Sequence, residues 1–300
     1  MSPIRESPPP NPRVGSLSRG SLENDSAERW QRRLEAIEPE FRALLHRIPL
    51  QDTPPLPPEW LRWEMLERRE VLRRAPIEPR STVLEVGSGG HAITTVPLAY
   101  ALRSGGRVLA LERRRWGRFS SLVAASGLGE RIRPLSGDAR RLPLRDRSVE
   151  LALCVHGLRS LESEENMVRV FRELLRVARG LFLAETLPVA RTPAQEAHLR
   201  MYGLREELFV ARTGRRDDIA YLPLPQLRTL VERAGGTIEE AETVEVDLPH
   251  ALAVFPRSLI EELPAGLARD DLLRRWDGAE ALRQRVGEDH PPVGIIRAAP

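Results

Sequence analysis

A single cysteine, Cys154, occurs in the 300 residues. That excludes an internal disulfide and any metal site built from several thiolates, and no metal site is expected. Lysine is absent: all 46 basic residues are arginine, set against 43 acidic ones for a formal charge of +3. So small a surplus is no basic patch, and the high isoelectric point reflects how little titrates above neutrality rather than an affinity for nucleic acid. No apolar run reaches the roughly 18 residues of a membrane helix, so no membrane span is expected. The opening MSPIRESPPPNPRVGS has no apolar stretch of the secretory-signal kind. A cytoplasmic location is the expectation.

What is present is an alternation of apolar strand-like runs and helical spacing. Residues 1–27, rich in Pro, Ser, Gly and Arg, offer nothing to bury and read as a disordered tail. Residues 28–58 read as a helical segment followed by the proline linker at Pro54, Pro55, Pro57 and Pro58. Glu59 opens a second helix through Arg74 that stands before the first strand as a possible lid. Strands are expected at 82–87, 107–112, 132–135, 149–155, 180–186, 237–246 and 251–255. Helices are expected at 92–103, 116–126, 163–178, 225–234 and 267–286, with the final fourteen residues frayed. The fold class is α/β: a Rossmann-like, doubly wound, mostly parallel seven-stranded sheet with helices on both faces and an N-terminal helical extension. The main domain is placed at 59–256, followed by a helical extension and tail at 257–300.

The stretch Ser81–Ala101, STVLEVGSGGHAITTVPLAYA, organises the rest. A β-branched strand breaks through Gly87-Ser88-Gly89-Gly90 into a helix. Glycines permit a tight turn and a close backbone approach, and the helix start points free N–H groups at a ligand. In an open α/β sheet, ligands bind beyond the carboxyl ends of the strands. There the first strand carries Glu85, the second ends at Glu112, and the third is followed by Asp138. Glu112 can accept both ribose hydroxyls of an adenosine, and Asp138 can accept from an adenine amino group. Three acidic residues at successive strand ends suit a net-cationic nucleoside, S-adenosylmethionine, better than a pyrophosphate.

These residues resemble the class I S-adenosylmethionine-dependent methyltransferases, the methyltransferase type 11 kind, over about residues 59–256. The acidic-x-G-x-G-x-G motif matches at Glu85, Gly87 and Gly89, with His91 where the third glycine is usual. GDARRLPLRDRSVELAL and FRELLRVARGLFLAE are similar to two further stretches of the class. Val155-His156-Gly157-Leu158-Arg159-Ser160-Leu161 is similar to a segment of the ubiquinone/menaquinone C-methyltransferases. The resemblance implies S-adenosylmethionine as cofactor, contacted by Glu85, Gly87, Ser88, Gly89, Gly90, His91, Glu112, Arg113, Asp138, Ala139, Cys154 and Val155.

Methyl transfer from a sulfonium needs alignment above all, and a base only when the acceptor carries a proton that must leave. His156, just past the fourth strand, is the candidate catalytic base. The segment 188–222 is the expected substrate cover, with Arg159, His198, Tyr202 and Tyr221 as acceptor-site candidates. Cys154 sits in an apolar strand and reads as a buried small hydrophobe. The expected acceptor is a small molecule, with RNA or protein as the alternative. An NAD enzyme is a further rival, since Gly87 to Ala92 also satisfies G-x-G-x-x-A, and a non-catalytic scaffold is another. Neither the acceptor nor the oligomeric state is fixed by the residues.

Overall fold

The structure is a computed structural model, and it describes residues 32, 36–37, 39–45, 58–102, 105–113, 116–158, 161, 163–214, 221–246 and 255–300. The expected tail, the proline linker before residue 58, Arg159 and all of the strand expected at 251–255 except Phe255 lie outside these.

Seven strands form one sheet: β1 Thr82–Val86, β2 Arg107–Glu112, β3 Ile132–Ser136, β4 Leu151–Val155, β5 Leu181–Thr186, β6 Thr237–Val244 and β7 Val293–Ala299. Their spatial order is β3-β2-β1-β4-β5-β7-β6. The pairs β3–β2, β2–β1, β1–β4 and β4–β5 are parallel, and β7 runs antiparallel between β5 and β6. All residues of β4 and β5 are buried, which is why β4, and β5 as far as Ala184, read as unbroken apolar runs rather than alternating ones. The chain reverses direction across the sheet between β1 and β4, and a cleft opens at that switch point.

The helices are α1 Pro58–Leu72, α2 Thr95–Ala101, α3 Trp116–Ser126, α4 Glu164–Val177, α5 Pro193–Thr213, α6 Leu224–Arg233, α7 Ser258–Glu261 and α8 Leu267–Val286. One sheet face packs on α1, α2, α3 and the helical residues 39–45 through Phe41, Leu72, Leu98 and Phe119. The other packs on α4 and α6 through Phe171, Leu174 and Val231. A third cluster joins α5, α7 and α8 through Met201, Leu208, Ile260 and Leu272, apart from the sheet. Among the described residues no helix is long and apolar enough to cross a membrane.

Local chemistry sets the helix ends near the site. Ser163 caps α4 by accepting from the Asn166 N–H, with Glu164 and Glu165 in the first turn and Arg176 in the last, as the helix dipole favours. Thr192 caps α5 and Pro193 follows it, while Gly214 ends it at φ 65°.

One expectation is overturned. The final fourteen residues are not frayed: they hold β7, whose Val293, Ile295, Ile296 and Ala298 are at most 1% exposed. The seventh strand is therefore this one, and the sheet closes only with the last residues of the chain. Gly294 lets β7 pass Leu187, because a Cβ there would stand 2.7 Å from Leu187 Cδ2.

Candidate functional site

The first turn of the site is built by two glycines meeting. Gly87, after β1, has φ 77°, and a Cβ on it would lie 3.1 Å from the Cα of Gly157, after β4. A Cβ on Gly157 would lie 2.8 Å from the Val86 carbonyl oxygen and 2.7 Å from Cys154 Sγ. The two strand ends touch backbone to backbone. The turn stays tied to the sheet, since the Gly87 N–H donates to the Leu111 carbonyl at 3.1 Å.

The cleft is lined by Val86, Gly87, Leu111, Glu112, Arg113, Gly137, Asp138, Ala139, Cys154, Gly157, Leu158, Leu161 and Val170. Six of the expected cofactor contacts, Gly87, Glu112, Arg113, Asp138, Ala139 and Cys154, thus come together on one wall. Glu112 Oε2 accepts from the Gly89 N–H at 3.3 Å and Oε1 from the Arg113 N–H at 2.8 Å. The carboxylate at the end of β2 thereby holds the glycine loop at the end of β1. Asp138 is fixed by Arg140, whose Nη2 donates to Oδ2 at 2.6 Å, and this partner holds the carboxyl below its ordinary range.

The other expected contacts take different places. Glu85 is 3% exposed beneath the glycine turn, and its Oε2 accepts from the Thr95 hydroxyl at 2.5 Å. Burial pushes its carboxyl up to about 7, with the Thr95 bond and Arg68 opposing and Glu112 adding to the rise. The Ser88 hydroxyl is buried and has no hydrogen-bond partner among the described residues. The ring of His91 is engaged elsewhere: Arg118 Nη1 donates to its Nδ1 at 2.8 Å, while Arg118 Nη2 donates to the Leu45 carbonyl. Val155 is buried with the apolar cluster on the α1 side of the sheet. Cys154 is fully buried, and burial pushes its thiol well above the ordinary range, so it offers no thiolate.

Beyond the ends of β4 and β5 lies a second, ionisable layer. His156 has φ 51°, an uncommon left-handed backbone for a residue bearing a side chain. Its Nε2 is 2.6 Å from Oε1 of Glu67 on α1, and both side chains are almost fully buried. On the other side, Nδ1 accepts the Thr186 N–H at 3.4 Å and lies 3.6 Å from Glu185 Oε2. Burial raises the Glu67 carboxyl, but His156 and Arg68 together outweigh it and hold the group well below its ordinary value. Arg68 Nη1 donates to Glu67 Oε2 at 2.7 Å. His290, just before β7, brings its Nε2 to 3.7 Å from Glu67 Oε1, and burial pushes its imidazole down to about 3, so it is neutral.

From there a row of rings leads away. His290 meets His198 edge-on at 5.5 Å, His198 stacks on Tyr202 at 6.3 Å, and Tyr202 meets Tyr221 edge-on at 5.4 Å. His198 is held by Glu288, its Nδ1 2.9 Å from Oε1. Three of the four expected acceptor-site residues are therefore neighbours.

The sequence reading missed Glu67, Glu185, His290 and Gly157. Glu67 had a signal: it falls at helical spacing with Trp60, Trp63 and Val71, a carboxylate on an apolar stripe. His290 had none, for it belongs to the segment expected to fray. Among the described residues no cluster of His, Cys, Asp and Glu is suited to hold a metal ion.

Residues 84–181 match the family model described as a methyltransferase domain. No curated protein matches the chain. Among solved structures, a cyclopropane-fatty-acyl-phospholipid synthase-like protein from Lactobacillus casei ATCC 334 is similar with a TM-score of 0.65 and 17% identity, over 88% of this chain and 99% of that one. The YcgJ protein of Bacillus subtilis gives 0.50 and 15%, over 78% and 97%. The mitomycin 7-O-methyltransferase MmcR gives 0.50 and 16%, over 80% and 53%. At these identities the likeness to solved structures is one of fold.

Proposed function

We propose that this chain, which carries a class I S-adenosylmethionine-dependent methyltransferase domain, passes a methyl group to a small, proton-bearing acceptor by direct displacement. The observation that carries the reading is the pair of carboxylates Glu112 and Asp138 lining a cleft floored by Gly87 and Gly157, with Glu85 buried beneath the glycine turn. Such a set complements an adenosine that bears positive charge and would repel a pyrophosphate.

The residues fit the donor on their own chemistry. Glu112 is the acceptor for ribose hydroxyls and Asp138 for the adenine amino group. The Ser88 hydroxyl, without a partner among the described residues, is the donor for the methionine carboxylate, and Glu85 beneath the turn answers the positive charge. S-adenosylmethionine, when bound, supplies a methyl carbon activated by a sulfonium leaving group. The protein then has to align the acceptor, keep water out and remove the acceptor's proton. His156 is the base for that proton, at the junction of the cleft with the row His290, His198, Tyr202 and Tyr221. Burial of His156, Glu67 and Glu185 beneath α1 supports a small molecule over RNA or protein, since a polymer needs an open mouth.

Titration calorimetry with S-adenosylmethionine, S-adenosylhomocysteine and NAD in parallel tests the reading. Micromolar binding of the first two and none of the third is expected. Binding of NAD alone overturns it, and binding of none returns the fold to a scaffold role.

A further inference from the structure

We propose that Arg118 of α3 is a positioning residue of the glycine loop and joins it to the helical residues 39–45, so that cofactor binding and the seating of that segment are coupled. The joint belongs to the fold without ligand; its use in cofactor binding rests on the methyl-transfer reading.

Arg118 reaches two segments distant in the chain. Its Nη1 donates to Nδ1 of His91, 27 residues away, at 2.8 Å. Its Nη2 donates to the Leu45 carbonyl, 73 residues away, at 3.1 Å. A guanidinium only donates, so each partner is an acceptor, and the planar fork sets the spacing between them. Neither acceptor can shift without losing its bond or moving the other. Apolar packing reinforces the joint. Phe41, Leu44 and Leu45 are buried in one cluster with Ala92, Ile93 and Val96, which follow the loop, and with Phe119, which follows Arg118.

The loop has need of such an anchor. Ala92, next to His91, has φ 50°, a left-handed backbone that is costly beneath a side chain and persists only where its surroundings impose it. The first half of the loop is tied elsewhere: the Gly87 N–H donates to the Leu111 carbonyl and the Gly89 N–H to Glu112 Oε2. Arg118 ties the second half. Glu112 ends β2 and Arg118 lies in the first turn of α3, so the second strand and its helix grip the loop from both ends. Leu45, however, lies outside residues 84–181, so a segment beyond the matched domain shares the donor that sets the cofactor loop. Coupling of this kind is reciprocal. Whatever seats residues 39–45 firms the loop, and a ligand on the loop firms residues 39–45.

The test is hydrogen exchange read by mass spectrometry on the full chain. In ligand-free His91→Ala, exchange at residues 39–45 is expected to quicken about fivefold or more, although the Leu45 carbonyl is held by Arg118 and not by the lost ring. Helix α6, remote from the joint, should keep its rate. Parental exchange at 39–45 overturns the proposal, and so does equal quickening in α6, which would mark a general loosening. Arg118→Met is expected to loosen 39–45 and 87–91 together and to weaken S-adenosylhomocysteine about tenfold. Loosening of one segment alone, or parental affinity, overturns the proposal; either variant decides it should the other fail to fold. Saturating S-adenosylhomocysteine is expected to slow exchange at 39–45 in the parent and not in Arg118→Met, and an unchanged rate in a parent that binds the ligand overturns the coupling. A parent that binds none defeats the methyl-transfer reading, while the ligand-free comparison still decides the joint, so the two failures are distinct.

Discussion

Glu67 and His156 stand 89 residues apart in the chain, and their carboxylate and imidazole meet at 2.6 Å in the buried interior between α1 and the end of β4. Removing one partner of a buried pair strands the other, whereas replacing both by apolar groups does not. His156→Leu should therefore cost about 3 kcal/mol of stability, and the double replacement Glu67→Leu with His156→Leu should cost less than the single one. Denaturant unfolding of the two single variants and the double one measures this; strictly additive costs would mean that the pair is not coupled. Because the Glu67 carboxyl is held below its ordinary value, it contributes stability above pH 4.5 that is lost as pH falls through the lower folded value. The parent should therefore lose stability in acid more steeply than Glu67→Gln.

Glu85 has the opposite sign. Burial favours its neutral form and raises it to about 7, so the folded state is favoured below pH 4.5 and loses that advantage as pH rises toward 7. A sulfonium bound in the cleft favours the carboxylate instead. S-adenosylmethionine affinity should therefore rise between about pH 6 and 8, with protons released on binding. S-adenosylhomocysteine, which lacks the sulfonium, should show a weaker slope, and Glu85→Gln should flatten both. Calorimetry in two buffers of different ionisation enthalpy reads the proton count directly. Equal slopes for the two ligands would remove Glu85 from any charge-sensing role.

Asp138 lies in a partly exposed ion pair with Arg140, a kind that contributes little to folding. Asp138→Ala should leave the unfolding midpoint nearly unchanged while weakening S-adenosylmethionine by about tenfold or more, the value of a hydrogen bond to a charged group. Calorimetry of that variant checks it, and parental affinity would take Asp138 out of the site.

The parts legible in the sequence were those where local pattern and tertiary role coincide. The strand at 82–86, the glycine turn and the carboxylates at 112 and 138 each follow from a run of residues whose local conformation already points at the cleft. Helix α3 and helix α8 fell within their expected bounds because their apolar spacing is carried by neighbouring residues. What could not be read was long-range. The run VGIIRAA is short, follows two prolines and resembles a tail, and only Leu187 and the edges of β5 and β6 turn it into a central strand. Glu67 was missed although it falls at the spacing of an apolar face, because its partner lies in another part of the chain. His91 shows the converse: it stands in a familiar motif, yet Arg118 of α3 takes its ring.

The glycines of the site divide by what a methyl group would meet. At Gly157 an added Cβ would strike the Val86 carbonyl oxygen at 2.8 Å and Cys154 Sγ at 2.7 Å. Backbone atoms of a central strand cannot give way, so Gly157→Ala should destabilise by about 1–3 kcal/mol and close the cleft floor. At Gly89 nothing lies within 4 Å, and the only cost is the backbone at φ 62°. Gly89→Ala should therefore cost about 1 kcal/mol and keep most of the affinity for S-adenosylhomocysteine. Thermal unfolding with and without that ligand separates the two; equal effects would mean that the glycine contact between β1 and β4 does not shape the site.

Strand β7 bonds to β5 on one side and to β6 on the other, and His290 precedes it by three residues. Deleting residues 293–300 would expose two strand edges at once and open the apolar layer around Val293, Ile295 and Ile296. It would also release the segment that brings His290 to Glu67. A tail that merely frayed could be removed at no cost. The truncated chain is instead expected to lose cooperative unfolding and to bind no S-adenosylhomocysteine. A smaller change isolates the strand from the site: Gly294→Val, which drives a branched side chain into Leu187 and Leu224, should lower stability while leaving the His290 position in sequence untouched. If that variant unfolds at the parental temperature, β7 is not the internal strand that its hydrogen bonds describe.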